Sequence, residues 1–324
     1  MRRRAFLYGS ASFLAVPPVA EAQPARVHRL GWLSPAAALR GTSNLDALRD
    51  GLREVGYIEG RNITIEERWA DDKSDRLTSL ASDLVRLRVD VICTAGSQAA
   101  VAAKHATKDV PIVFANVAFP DEQRLVASYS RPGGNVTGVA FIGPEYGKRL
   151  ELLREASPSL SRVALLYNPE NGGSVLALKE TQRWAGSLSL RLEPHGLRRA
   201  DDLAVAFAAI AKKLPDAMMT TADPLIAAHR GAIVDFAAKH RLLSMYPAKE
   251  FVDSGGLMFY GGSIPEMYRR AAVYVDRILK GAKPSDLPIE QPTKFDMVIN
   301  LKTAKAFGLT IPQSLLLRAD EIVE

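Results

Sequence analysis

Cysteine is nearly absent from this chain, since Cys93 is the only one in 324 residues. No intramolecular disulfide can form, so the fold has to depend on its hydrophobic cores. Because Cys93 lies inside an apolar run, residues 89–94, we expect it to be a buried packing residue rather than a reactive thiol.

The motifs of several enzyme classes are also missing. The chain contains no G-x-G-x-x-G after a strand, no G-x-x-x-x-G-K-[ST], no G-x-S-x-G and no H-E-x-x-H. The five histidines are scattered without a ligand pair at i, i+3 or i+4, so neither a metal site nor a cofactor is expected. Asp223 and Glu250 are candidates for acid/base chemistry, but neither has an evident partner.

The first 22 residues, "MRRRAFLYGSASFLAVPPVAEA", have the features of an export signal. A basic start and an apolar middle precede a small-x-small pattern, Ala20-Glu21-Ala22, with cleavage expected before Gln23. The sequence therefore predicts a signal peptide over residues 1–22 and a periplasmic location. A twin-arginine signal and a plain Sec signal both fit, and both routes remain open.

The net charge excludes one class of partner. Removal of residues 1–22 lowers the formal charge from +6 to about +4. This charge is too weak to indicate nucleic-acid binding.

Short β-branched runs alternate with longer helical patterns, which is typical of βαβ units and parallel sheets. The pattern restarts near residues 143–148, so we expect an α/β fold with two doubly wound, Rossmann-like lobes. The predicted strands are residues 27–33, 63–69, 89–94, 111–116, 136–141, 162–167, 190–194, 217–221, 243–246 and 256–259. The predicted helices are residues 43–55, 75–87, 97–106, 122–130, 145–156, 174–187, 201–214, 225–240 and 265–279.

Polar residues lie where the third predicted strand gives way to a helix, in the stretch "TAGSQ". Ser97 in this stretch is a candidate helix cap or a nucleophile. A third role is open, because a helix N-terminus presents free N–H groups and a positive dipole end to an anion. Ligands of open parallel sheets bind beyond the carboxyl ends of the strands. The candidate ligand contacts here are Thr94, Gly96, Ser97 and Gln98.

Other strand ends carry further candidates for the same cleft. They are Ser34, Asn116, Phe119, Asn168, Asn171, Thr221, Asp223 and Tyr246. Polar groups together with aromatic rings suit a small ligand that has charged ends and a flat body. Structural roles also remain open, because Asn168-Pro169 and Asp223-Pro224 are common turn and helix-start pairs and Tyr246 can fill a core. The recurrence of polar strand ends in both lobes favours a ligand site.

Long stretches of the chain resemble one known family. They include "LREVGYIEGRNITIEERWA" from residue 52, "KRLELLREASPSLSRVALLYNP" from residue 148 and "MYPAKEFVDSGGLMFYG" from residue 245. On these stretches the chain resembles ABC transporter substrate-binding proteins of the tryptophan/tyrosine type, which have a type I periplasmic-binding fold.

This resemblance implies two lobes that close on a ligand, joined by three hinge segments near Gly143, Gly261 and Gln291. The first lobe would comprise residues 23–142 and about 263–290, and the second residues 143–262 and about 291–324. The resemblance also implies a periplasmic protein that delivers a solute to a permease in the inner membrane and catalyses no reaction. We expect a monomer without a nucleic-acid partner.

One departure from the family concerns the ligand. In "AFPDEQ", residues 118–123, Phe119 stands where an acidic residue is often seen. Family members resemble binders of aromatic or other hydrophobic amino acids, whose ammonium group needs a carboxylate or carbonyl partner, and Asp223 can supply one from the second lobe. The implied ligand is therefore an amino acid or an aromatic carboxylate. A periplasmic ligand sensor and an enzyme using the same cleft remain alternatives.

Overall fold

Two β-sheets form the framework of the protein. The computed structural model describes residues 27–141 and 145–324, apart from the side chains of residues 39–41. The predicted signal peptide and the predicted crossing near Gly143 lie outside the described residues.

The strands are β1 (His28–Ser34), β2 (Ile63–Trp69), β3 (Val91–Ala95), β4 (Ile112–Val117), β5 (Val136–Ala140), β6 (Arg162–Tyr167), β7 (Arg191–Gly196), β8 (Ala217–Thr220), β9 (Leu243–Tyr246), β10 (Met258–Gly261), β11 (Asp296–Asn300) and β12 (Glu321–Val323). The helices are α1 (Ala38–Glu54), α2 (Leu77–Arg86), α3 (Gly96–Ala106), α4 (Glu145–Ala156), α5 (Gly172–Ser187), α6 (Asp202–Lys212), α7 (Pro224–Ala228), α8 (Arg230–Lys239), α9 (Lys249–Asp253), α10 (Ile264–Leu279), α11 (Leu301–Phe307) and α12 (Gln313–Leu316).

The two sheets share one strand order. In the first, all neighbours are parallel and the order is β2-β1-β3-β4-β5. The second contains the equivalent order β7-β6-β8-β9-β10, extended by antiparallel β11 and then by β12. We call the first sheet with α1, α2, α3 and α10 the first lobe, and the second sheet with the remaining helices the second lobe. The predicted fold class of two doubly wound α/β lobes is confirmed.

Helix α10 packs on the first lobe although it follows a strand of the second. Its apolar face, which includes Tyr268 and Tyr274, is buried in the same core as α1 and the first sheet. Gly51 of α1 permits this close packing, because a β-carbon there would lie 2.6 Å from the carbonyl oxygen of Arg269. The chain then returns to the second sheet, where β11 pairs with β10.

Both faces of the first sheet are covered. Strand β3 is buried along its whole length, as a central parallel strand requires. Cys93 on this strand is fully buried in the core shared with α1 and α10, and burial raises the pKa of its thiol to about 12. A thiol held neutral in an apolar core acts as a packing group, as predicted for Cys93.

An ion pair links Glu290, which precedes β11, to helix α10 of the first lobe. Arg270 of α10 donates from Nε and Nη2 to the two carboxylate oxygens of Glu290, at 2.5 and 2.7 Å. The carbonyl oxygen of Glu290 accepts a hydrogen bond from the backbone N–H of Ala140 at 2.8 Å. The hydrogen bonds from Arg270 hold the pKa of the Glu290 carboxyl below its ordinary value.

Some predicted elements differ from the structure. Residues 122–130 are predicted to be helical but contain turns, because Arg124 has a positive φ angle of 55° that a right-handed helix cannot include. The predicted helix over 225–240 is divided at His229 into α7 and α8. The pattern does not predict α9 or any element after residue 290, which are too short to show clear periodicity.

No helix in the described part of the chain has the length and apolar character that a membrane span needs. Within residues 27–141 and 145–324, no group of three or more histidine, cysteine or acidic side chains is placed to hold a metal ion.

Candidate functional site

A cavity of about 170 Å³ lies between the lobes, at the carboxyl ends of the parallel strands. Loops of both lobes contribute to its wall. This agrees with the rule that ligands of open parallel sheets bind beyond the carboxyl ends of the strands, which we call the strand-end rule. Seven of the residues predicted from the sequence line this cavity: Ser34, Gly96, Ser97, Asn116, Asn171, Thr221 and Asp223. The polar strand ends are thus brought together from two separate sheets.

The first-lobe wall is built around the turn from β3 into α3. Gly96 has a φ of +76°, a left-handed conformation that glycine adopts without strain, and the helix begins there. The expectation that Ser97 caps α3 is wrong, because Ala95 occupies the N-cap position and no side chain caps the helix. The Ser97 hydroxyl instead accepts a hydrogen bond from Nε2 of Gln123 at 3.0 Å.

Aromatic side chains supply the apolar part of the wall. Phe141 and Tyr268 come from the first lobe and Phe251 from the second. Tyr268 is almost fully buried and packs against Trp32, with 5.7 Å between ring centroids. Rings held in this way offer a rigid surface to the flat body of a ligand.

Asp223 is the most constrained polar group of the cavity. Its Oδ1 accepts hydrogen bonds from the backbone N–H groups of Leu225 and Ile226 at 2.9 and 3.2 Å, so it caps α7. Its Oδ2 accepts from the side-chain amides of Asn171 at 2.8 Å and Asn168 at 3.1 Å. All four acceptor positions of the carboxylate are therefore used within the protein.

The electrostatic state of Asp223 follows from its surroundings. The side chain is buried, and desolvation raises the pKa of the carboxyl even though four N–H groups hydrogen-bond to it. No basic side chain of the described residues forms a salt bridge with it. A carboxylate in a cavity wall without a cationic partner favours a cationic ligand group through its charge, although the protein already uses its acceptor positions.

Two further predicted residues, Asn168 and Thr221, belong to the hydrogen-bond network that contains Asp223. Thr221 shares a hydrogen bond of 2.6 Å with the hydroxyl of Ser174, and the same hydroxyl accepts from the backbone N–H of Asn168 at 2.9 Å. Asn168 is buried and holds the Asp223 carboxylate, but it does not line the cavity.

The two lobes touch directly beside the cavity. A β-carbon on Gly173 of α5 would lie 2.6 Å from Oγ of Ser97 on α3. A β-carbon on Gly172 would lie 3.2 Å from the side-chain oxygen of Gln123. The first turns of α3 and α5 therefore meet across the cleft, and the lobes are in a closed arrangement.

Phe119 takes part in this contact between the lobes. Its ring stacks on Tyr146 of α4, with 5.9 Å between centroids and 19° between planes. Phe119 is buried in a small apolar cluster with Tyr146 and Ala177 and does not line the cavity. Its side chain contacts the second lobe instead of the space between the lobes.

Three other predicted residues also lie outside the cavity wall. Thr94 is fully buried within β3. Gln98 is partly buried one residue beyond Ser97 on α3. Tyr246 is buried in the second-lobe core, where it stacks on Phe251 at 4.7 Å.

The sequence pattern missed several residues of the wall. Asn44 of α1, Arg230 of α8 and Tyr268 of α10 all line the cavity. None of them follows a strand, so the strand-end rule offers no signal for them. Gly173 lies at the start of α5, shortly after β6, where the same rule can find it.

Comparison with known proteins places the chain in a family. Residues 41–323 match the family model described as ABC transporter substrate binding protein. The Tyrosine-binding protein of Clostridioides difficile (strain R20291) is 26% identical over 271 residues, which make up 82% of this chain and 78% of that protein.

Solved structures show the same fold over most of the chain. A conserved domain protein from Vibrio cholerae O1 biovar El Tor has a TM-score of 0.87 at 26% identity, covering 92% of this chain and 100% of the other. The ABC domain of Streptococcus pneumoniae in complex with L-Trp has a TM-score of 0.86 at 25% identity, with the same coverage. With the family match spanning nearly the whole chain, this protein belongs to the ABC transporter substrate-binding protein family.

Proposed function

We propose that this protein captures a small organic solute between its two lobes and delivers it to the permease of an ABC uptake transporter. The solute is an amino acid, with aromatic ones favoured, or an aromatic carboxylate. The observation that carries the proposal is the cavity between the lobes, whose wall contains strand-end residues of both sheets.

The size and lining of the cavity support a ring-bearing ligand. Its volume of about 170 Å³ slightly exceeds that of an engineered cavity of about 150 Å³ that binds benzene. Phe141, Phe251 and Tyr268 provide the rings of the wall. One relative is named a tyrosine-binding protein, and the structure of another contains L-Trp. Both support an aromatic amino acid as the ligand here.

The polar groups support a ligand with charged ends. The Asp223 carboxylate has no cationic partner among the described residues, so its charge favours a ligand ammonium group even though its acceptor positions are used by the protein. The backbone at Gly96 and Ser97, where α3 begins, is a second polar contact on the opposite lobe. Ser34, Asn116 and Thr221 add hydrogen-bonding groups around them.

Closure of the lobes is the proposed mechanism. A ligand that touches both lobes only in the closed form binds that form better, so binding shifts the population toward it. The moving bodies would be residues 23–142 with about 263–290, and residues 143–262 with about 291–324. The contact between α3 and α5 is proposed to form on closure and to be lost on opening.

Export, a monomeric state and partnership with a permease belong to the same proposal. Residues 1–22 would direct the chain through the Sec or the twin-arginine route to the periplasm. There the closed, loaded protein would dock on the permease and release the solute.

Calorimetric titration of residues 23–324 against aromatic amino acids and aromatic acids tests the proposal. We expect one ligand to bind with 1:1 stoichiometry and to raise the melting temperature by mass action. The titrated solute should be recovered chemically unchanged. Conversion of the solute, or the absence of binding across both compound classes, would contradict the proposed function.

A further inference from the structure

Among the side chains that the structure describes, three charged ones line the cavity, and one of them is positive. Asp223 and Glu250 are acidic, and Arg230, the first residue of α8, is basic. None of the three forms a salt bridge with another described residue. The cavity therefore has a cationic group that forms no ion pair with any described residue.

The Arg230 guanidinium makes one hydrogen bond to the described part of the chain. Its Nη1 donates to the carbonyl oxygen of Ala227 at 3.2 Å, and Ala227 lines the same cavity. The guanidinium has five N–H donors, so most of them stay available to a ligand. No acidic residue lies in the first turn of α8 to compete for them.

Several partly buried arginines of this protein have carboxylate partners, and Arg68, which has none among the described residues, does not line the cavity. Arg49 contacts Glu59 and Glu67 at 2.8 and 2.6 Å, and Arg162 contacts Glu193 at 2.9 Å. Arg230 is partly buried to a similar degree but lacks such a partner in the part of the chain that the structure describes. An arginine without a counter-ion in a cavity wall fits the bidentate binding of a carboxylate.

We propose that Arg230 is a specificity-determining residue that binds an anionic group of the ligand, in the first instance a carboxylate. The inference rests on the proposed function and adds the residue that selects a carboxylate over an uncharged amide. Glu250, on the neighbouring helix α9, lines the cavity without pairing with Arg230, so the guanidinium remains free for the ligand.

The start of α3 is the competing anion site. Its groups are neutral amides and a hydroxyl, and the Ser97 hydroxyl already accepts a hydrogen bond from Gln123. A full positive charge forms the stronger interaction with a carboxylate. If Arg230 holds the carboxylate, its removal must abolish the preference for carboxylate over carboxamide, whereas removal of the Ser97 hydroxyl must leave that preference in place.

The experiment compares two pairs of probes, L-tryptophan with L-tryptophanamide and L-tyrosine with L-tyrosinamide. Calorimetry on residues 23–324 gives the ratio of affinities within each pair for the wild type and for Arg230→Gln, Arg230→Lys, Glu250→Gln and Ser97→Ala. We expect Arg230→Gln to lower the ratio by about 10- to 100-fold. Arg230→Lys should restore part of the ratio because it keeps the charge.

The controls separate this role from general damage to the cavity. Glu250→Gln removes a negative charge from the same wall, so it must not lower the ratio. Melting temperatures of the variants report their folding. An unchanged ratio in Arg230→Gln, together with a lowered ratio in Ser97→Ala, would overturn the inference while leaving the proposed function standing. If the wild-type protein binds none of the four probes and no aromatic acid, the result would contradict both the inference about Arg230 and the proposed function.

Discussion

Gly173 of the second lobe lies so close to Ser97 of the first that a β-carbon on Gly173 would be 2.6 Å from the serine Oγ. Real β-carbons essentially never lie so close to another heavy atom, so a side chain at residue 173 would force the Ser97 hydroxyl, which accepts a hydrogen bond from Gln123, to move. The two lobes can therefore meet beside the cavity because residue 173 has no side chain.

Gly173→Ala is expected to weaken ligand binding by disfavouring the closed form. Overpacking of a close contact costs about 1–3 kcal/mol, which corresponds to roughly 5- to 150-fold in affinity if the open form is unaffected. Calorimetric titration with the ligand found in the binding screen measures this loss.

Gly186→Ala is the matched control, since Gly186 lies on the same helix α5 with nothing within 4 Å of its β-carbon position. Alanine there should leave the affinity unchanged and increase helix stability by up to about 1 kcal/mol. Equal affinities for both variants would mean that closure does not require the contact between Ser97 and Gly173.

Phe119→Leu is expected to lower the affinity for all ligands by the same factor. The stack of Phe119 on Tyr146 joins the two lobes outside the cavity, so its loss should weaken closure without changing contacts to the ligand. Loss of ring stacking costs about 0.5–1.5 kcal/mol, or about 2- to 10-fold in affinity. Titration with two ligands of different size measures both factors.

The control for this prediction is a ring pair within one lobe. Phe207 stacks on Phe236 in the second lobe at 4.3 Å between centroids, so Phe207→Leu should lower the free energy of unfolding and leave the affinity unchanged. Should Phe119→Leu instead change the preference between the two ligands, the ring would be acting as a ligand contact.

Asp223→Ala is expected to destabilise the fold as well as to weaken binding. The carboxylate accepts hydrogen bonds from two backbone N–H groups and from the amides of Asn168 and Asn171. Its removal leaves four buried donors unpaired and should lower the free energy of unfolding by about 2–4 kcal/mol. Urea denaturation of the unliganded protein gives this value.

Asp201 offers the comparison residue for Asp223. It also occupies the N-cap position of a helix, α6, but its side chain is exposed and makes no capping hydrogen bond. Asp201→Ala should change the free energy of unfolding by no more than about 0.5 kcal/mol. A similar decrease in the free energy of unfolding for both variants would show that the hydrogen bonds to the Asp223 carboxylate do not stabilise the fold.

The ion pair between Arg270 and Glu290 should make stability depend on pH in the acid range. Hydrogen bonds from Arg270 lower the folded-state pKa of the Glu290 carboxyl. Its stabilising contribution is therefore complete above the unfolded value of about 4.3 and is lost as the pH falls through the lowered folded value. Urea denaturation at several pH values should show Glu290→Gln less stable than the wild type at pH 7, with the difference vanishing in acid.

Glu54→Gln provides the baseline for the pH series, because Glu54 is an exposed carboxylate at the end of α1 without an ion pair among the described residues. Its difference from the wild type should stay small at every pH. A pH-independent deficit in Glu290→Gln would show that the ion pair does not cause the acid sensitivity.

Much of the fold could be predicted from local pattern. The bounds of β2, β6, β9 and α4 agree with the sequence-based ranges to the residue. Apolar runs and helical periodicity can be recognised within short segments of sequence, without knowledge of tertiary contacts. The turn at residues 119–124 could not be predicted in this way. Its positive φ angles are accommodated by contacts to Ser97 and Tyr146, which belong to distant parts of the chain.

The candidate site was partly predictable for a related reason. The strand-end rule points to Ser34, Asn116 and Thr221, which line the cavity, because parallel strands bring their carboxyl ends to one edge. The rule does not say which way each side chain points. The side chain of Asn168 donates a hydrogen bond to Asp223 and does not line the cavity. The ring of Phe119 stacks on Tyr146 of the other lobe. The packing of neighbouring helices decides both side-chain orientations.

The sequence by itself determined the alternation of strands and helices, the division into two lobes and the polar character of the strand ends, since each is a property of neighbouring residues. Only the tertiary structure decided that Gly173 meets Ser97, that Arg230 and Tyr268 reach the cavity and that Phe119 does not. These outcomes depend on the close packing of groups far apart in the chain, where a shift of one ångström changes which atoms are in contact.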